Sequence, residues 1–142
     1  MKMQVKIKRL HPDAKIPQKA HQGDAGFDLV AVTKELTPQG YIEMKTGLGF
    51  EIPPGHMGLL FPRSSISNTK MTLTNSVGVL DENFRGDVSF RFKPATSGKG
   101  GYEIGDKIGQ LVIMPYPSIE LVEVDELDET DRGTGSYGSS GK

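Results

Sequence analysis

The chain has 142 residues, 17 of them Lys or Arg and 18 Asp or Glu, the size of one ordinary domain with a net charge of −1. So near-neutral a balance gives no general electrostatic reason to bind nucleic acid or an anionic membrane, and any anion site must be local. The absence of cysteine excludes disulfides, thiolate metal sites and a cysteine nucleophile, and fits a reducing cytoplasm.

In chain order, the opening MKMQVKIKRLHPDAK carries charges where a signal peptide needs an apolar core, and no later apolar run approaches the ~18 residues of a membrane span. The expectation is a soluble, cytoplasmic protein. Its apolar residues come in short runs of period two, punctuated by 18 Gly and 9 Pro, and not in helical stripes. MQVKIKRL alternates Met3, Val5 and Ile7, and IEMKTGLGFEI carries Ile42, Met44, Leu48, Phe50 and Ile52. PPG at 53–55 predicts a turn, followed by strands at HMGLLF, MTLT and DVSFRF, the last alternating Val88, Phe90 and Phe92. KIGQLVIM and SIELVEV predict two more strands, and the one helical candidate is short, around SSISNTK. KPATSGKGG, at 93–101, reads as a surface loop, and the acidic run DELDETD, at 125–131, as a linker into the tail RGTGSYGSSGK. Many short strands, spaced about every ten residues, predict an all-β sandwich or jelly roll.

Five stretches place glycine or small polar residues beside charges, and each has a structural and a chemical reading. In GDAGFDL, Asp24 and Asp28 either cap a turn or face a ligand. FPRSSIS sets Arg63 and two hydroxyls at the start of a short helix, an N-cap or an anion site. NSVGVLDENFRGD predicts a β-hairpin between Gly78 and Gly86 with Asp81 inside it, whose edge could pair with a planar heterocycle as another strand would. GDKIGQL predicts a turn and a buried strand, with Gln110 satisfied by backbone or facing a ligand. By composition the tail is flexible, and it is no Walker loop because Ser136 stands where the first glycine would be. It still offers Arg132, Thr134, Ser139 and Ser140 as donors, with Tyr137 as its one planar group.

In their order and spacing, DAGFDL, PRSS, GVLDENFRG, GDKIGQL and RGTGSYGSSG resemble the five motifs of the trimeric dUTP pyrophosphatases (dUTPases), from about residue 23 onward. The resemblance implies a distorted jelly-roll, β-clip-like subunit over 1–131 with a flexible C-terminal arm, 132–142, acting as a glycine-rich lid. It implies a homotrimer with active sites at subunit interfaces, and hydrolysis of dUTP to dUMP and pyrophosphate. Asp81 is then the general base for water attacking the α-phosphorus. Mg²⁺ is held by the triphosphate, with no direct protein ligand and with Asp28 supporting the metal and its waters indirectly. Arg63 and Ser64 hold phosphate oxygens, Ser65 adds a backbone or hydroxyl contact, and Gln110 reaches the phosphates. Asn75 and the backbone of Gly78, Val79 and Leu80 read the uracil edge in a pocket too tight for the thymine methyl. Phe84 packs on the deoxyribose and excludes a 2′-hydroxyl. Arg132, Ser139 and Ser140 bind the γ-phosphate while Tyr137 stacks on the base.

The family pattern has Gly at Ser65 and Ser136, Tyr at Phe84, Phe at Tyr137 and Thr at Ser140. The last three swaps keep a flat ring or a hydroxyl. Ser65 and Ser136 are the two that bear on backbone geometry. Two other readings remain: a dCTP deaminase or bifunctional deaminase-pyrophosphatase, which would use a Glu near the base, and a catalytically quiet, nucleotide-gated regulatory module, which erosion of the base or clamps would mark. Here Asp81 precedes Glu82 in the dUTPase register, and neither base nor clamps are eroded.

Overall fold

The computed structural model describes residues 2–94 and 101–141. Among these, ten strands follow in the order β1 (Lys6–Arg9), β2 (Phe27–Val30), β3 (Glu35–Leu36), β4 (Ile42–Lys45), β5 (Leu48–Glu51), β6 (His56–Phe61), β7 (Met71–Leu73), β8 (Gly78–Leu80), β9 (Ser89–Pro94) and β10 (Lys107–Pro115). A single 3₁₀ helix, Ser64–Asn68, lies between β6 and β7, where the short helix was expected. The strands form two four-stranded sheets, β2-β10-β6-β8 and β3-β4-β9-β7, and a small β1-β5 pair. All pairings are antiparallel, giving the expected all-β fold of jelly-roll type. No helix among the described residues is long and apolar enough to cross a membrane.

Period-two alternation makes the core. Along β9, Phe90 and Phe92 point to the same face and are buried, their rings 6.1 Å apart and nearly parallel at 8°. They meet Met44 from β4 and, from the other sheet, Leu29 of β2 and Ile108 and Leu111 of β10, all buried. Each such side chain contributes about 1.5–3 kcal/mol by leaving water. Thr46 is the buried polar exception, and its hydroxyl donates to the Val88 carbonyl at 2.8 Å while accepting from the Leu48 amide at 3.3 Å.

Three expectations are corrected. IEMKTGLGFEI is two strands in different sheets, because the chain turns at Gly47, where φ is +67° and a Cβ would lie 2.6 Å from that of His11. GVLDENFRG is not a hairpin: β8 pairs with β6, whereas β9 pairs with β4 and β7, so the segment carrying Asp81 crosses between the sheets. SIELVEV forms no strand among the described residues. The last backbone tie before it is the Tyr116 amide on the Gly55 carbonyl at 3.0 Å, and Pro117, which has no amide hydrogen, cannot donate to a continued β10 ladder. Most of the loop expected at 93–101 lies outside the described residues, and its first two residues complete β9.

Gly109 on β10 sits where a Cβ would strike the Phe90 ring and come within 3.0 Å of the Phe61 carbonyl. Gly109→Ala should therefore cost about 1–3 kcal/mol through overpacking, read as a lower urea midpoint. An unchanged midpoint would show that the Phe90 ring can yield.

Candidate active site

The sequence-predicted residues gather in three places. The first spans β2, β10 and the end of β6, where Gln110 is opposite Asp28 on one side and Phe61 on the other. Arg63, two residues past Phe61, is the N-cap of the 3₁₀ helix with extended backbone (φ −81°, ψ 154°), and its Nε donates to Asp28 Oδ1 at 3.0 Å. Its Nη1 lies 3.4 Å from Ser65 Oγ. Lys107 Nζ stands 3.5 Å from the other Asp28 oxygen. Two cations thus share one carboxylate, leaving a net positive charge beside the exposed Ser64. Gln110 Nε2 donates to the Pro62 carbonyl at 3.1 Å, and its Oε1 lies so close over Gly26 that a Cβ there would collide with it. Gln110 therefore fastens the glycine turn before β2 to the start of the Arg63 loop, and of its two expected partners the backbone is one.

The second group lies on and after β8. This strand ends its sheet, so among the described residues one edge of Gly78–Leu80 has no strand beside it. A Cβ at Gly78 would come within 3.2 Å of Leu60 and 3.3 Å of the Asn75 amide nitrogen, so glycine lets Asn75 sit close to this edge. Val79 points outward while Gly78 and Leu80 are buried. Asp81 follows immediately. It is exposed and enters none of the ion pairs among the described residues. Its backbone carbonyl accepts from the Phe84 amide at 3.1 Å, closing a turn that brings the Phe84 ring over Gly86, where a Cβ would be 2.6 Å from it. Met57, Val79, Asp81, Glu82, Asn83 and Tyr116 line an open groove of 470 Å³.

The third group is the tail. Turns close at Gly133, Gly135, Ser139 and Gly141, and Arg132 Nε donates to the Gly135 carbonyl at 2.9 Å. Tyr137 is fully exposed in the left-handed region, φ 45°, a conformation a bulky residue rarely adopts. Ser65 and Ser136 raise no such difficulty. Among the described residues the only non-glycine positive φ values are at Ser76 and Tyr137, so serine in place of glycine demands no strained backbone at either position.

These three groups do not meet within the chain. Asp28 and Asp81 are separated by three strand spacings of ~4.8 Å across the sheet and four residue rises of ~3.3 Å along it, on the order of 20 Å in all. A base must come within about 3 Å of the proton it takes, so neither group completes a site alone. Sequence reasoning assigned no role to Lys107, Glu82 or Tyr116. Lys107 stood inside a quoted motif, but nothing in the sequence pointed to Tyr116.

A dUTPase family profile matches residues 12–141. The deoxyuridine 5′-triphosphate nucleotidohydrolase of Rhodococcus erythropolis is 37% identical over 144 aligned positions, covering 98% of this chain and 87% of that protein. That of Clostridium kluyveri is 38% identical, covering 98% and 99%. Among solved structures, a mutant Staphylococcus bacteriophage 80alpha dUTPase with dUpNHpp superposes with a TM-score of 0.84 at 28% identity, covering 98% of this chain and 99% of that one. A mutant of the phage phi11 dUTPase, described as coordinating a structural Mg(II) ion, gives 0.75 at 28% identity, covering 89% and 100%. With the fold, the motif positions and the family match all in agreement, the chain belongs to the dUTPase family.

Proposed function

We propose that the chain hydrolyses dUTP to dUMP and pyrophosphate in active sites shared between copies of itself, assembled as a homotrimer in the cytoplasm. The observation that carries the sharing is the ~20 Å between Asp81 and the Asp28–Arg63–Gln110 group on one sheet. A base on one copy completes a phosphate clamp on another. The segment between β10 and the arm supports the same reading, because Leu121 is 93% and Leu127 86% exposed, apolar surface that a neighbouring copy would cover.

In the shared site, the Asp81 carboxylate takes a proton from water as the water oxygen bonds to the α-phosphorus. The bond from that phosphorus to the bridging oxygen breaks, and pyrophosphate leaves. Arg63 and Lys107, aimed by Asp28, face the negative oxygens with Ser64 and Ser65, and positioning supplies most of the acceleration. The open edge of Gly78–Leu80, with Asn75 beside it, reads the uracil edge as a strand would, and Phe84 on Gly86 forms the wall against the sugar. Bound with the triphosphate, Mg²⁺ would offset charge on the phosphate oxygens, and Asp28 would support it indirectly. Tail residues 132–142 close over the nucleotide, Arg132, Ser139 and Ser140 on the γ-phosphate and Tyr137 on the base, an ordering that substrate binding offsets.

Pyrophosphate release assayed across dUTP, dTTP, dCTP and UTP should be confined to dUTP. Asp81→Asn should abolish it while leaving dUpNHpp binding in place; turnover like that of the parent would remove Asp81 as the base. Deletion of residues 133–142 should leave a folded protein with turnover lowered by at least about tenfold, the low end for loss of lid contacts that position substrate. Normal activity after truncation would reduce the arm to a passive tail. Sedimentation should give three times the chain mass, and a fully active monomer would refute the shared site.

A further inference from the structure

The carboxylate next to the proposed base is held from two distant parts of the fold. Glu82 Oε2 accepts the Gly55 amide at 2.7 Å and the Tyr116 hydroxyl at 3.0 Å. Gly55 belongs to the PPG turn before β6, with φ +74°, and Tyr116 directly follows β10. These two anchors are themselves joined, the Tyr116 amide donating to the Gly55 carbonyl at 3.0 Å. Arg85 closes the other side of the turn, its Nη1 donating to the carbonyls of Glu82 at 2.6 Å and Phe84 at 3.1 Å. The segment from Asp81 to Gly86 crosses between sheets without a strand partner, so these side-chain bonds and the Asp81–Phe84 turn fix its course. Tyr116 and Glu82 also line the groove into which Asp81 opens.

We propose that Glu82 and Tyr116 are positioning residues for Asp81, a clamp that fixes the turn carrying the base to the ends of β10 and the PPG turn. The inference rests on the reading of Asp81 as the general base. A carboxylate free to swing samples geometries in which its water is not aligned with the phosphorus, and a displacement of about 1 Å is worth on the order of 10²-fold in rate. The Tyr116 hydroxyl suits the role of permanent donor, since its hydrogen bond to Glu82, reinforced by slight desolvation and by the charges of Glu82 and Asp81, raises its pKa above the usual tyrosine value. Both bonds end on the same Glu82 oxygen, so glutamine can accept both through its amide oxygen while alanine can accept neither.

The test is steady-state kinetics on full-length protein with dUTP, beside the affinity for dUpNHpp. Glu82→Ala should lower kcat by about 10- to 100-fold, the range for a displaced base, with KM and dUpNHpp affinity within about twofold. Tyr116→Phe should lower kcat less, in the same direction, and the double variant should be no slower than Glu82→Ala alone, because both remove one shared network. Glu82→Gln should restore most of the rate, which separates geometry from loss of the neighbouring negative charge. Parental kcat in both Glu82→Ala and Tyr116→Phe, with Asp81→Asn inactive, overturns the clamp and leaves the base intact. A rise in KM at constant kcat overturns it in favour of a binding role. Turnover in Asp81→Asn removes the base and the clamp together.

Discussion

Strand β10 is the constraint on which the rest of the molecule depends. Its register is fixed from both sides, Gln110 opposite Asp28 of β2 and Phe61 of β6, and Met114 opposite Met57. A slip of one residue would turn the buried Leu111 toward the opposite face, so the register is locked by the core itself. That lock places Gln110 at one end, beside the Arg63–Asp28 pair, and Tyr116 just beyond the other, beside Glu82. The distance between the Arg63–Asp28 pair and Asp81 is therefore a property of the sheet and cannot be closed by a local movement of either.

Separation also keeps the charges available. Were Asp81 beside Arg63 within a single chain, the two would pair and each would have to be released before meeting substrate. At about 20 Å they lie beyond the ~8 Å over which exposed charges feel one another at physiological ionic strength. Asp28 shows the contrasting arrangement: it is committed to Arg63 and Lys107, and its work is to aim cations. In the proposed function catalysis is coupled to assembly, a neighbouring copy bringing Asp81 to the Arg63–Asp28 pair.

The parts of the fold legible in the sequence are those governed by local alternation. DVSFRF announced Val88, Phe90 and Phe92 as core because period two is enough to put them on one face. The same rule failed at IEMKTGLGFEI, where the break at Gly47 is imposed by His11 packing against it from more than thirty residues away. It failed again at SIELVEV, whose alternation is that of a strand but which pairs with none of the described strands. A periodicity states that a segment can pair, and the partner is a tertiary fact. The hairpin expected around Asp81 went the same way: turn-forming residues were read correctly, but the two arms go to different sheets.

The sequence by itself determined the family, through five motifs in order. It also carried the all-β class, because glycine and proline spacing and period-two runs are local properties of the backbone. Only the tertiary structure decided which of those residues stand together, that Asp28 is shared by two cations, that Gln110 is tied to Pro62, and that Glu82 is held by Gly55 and Tyr116. The reason is physical. Each of these contacts joins groups more than twenty residues apart, and their meeting is set by strand register and sheet order, which no short window of sequence contains.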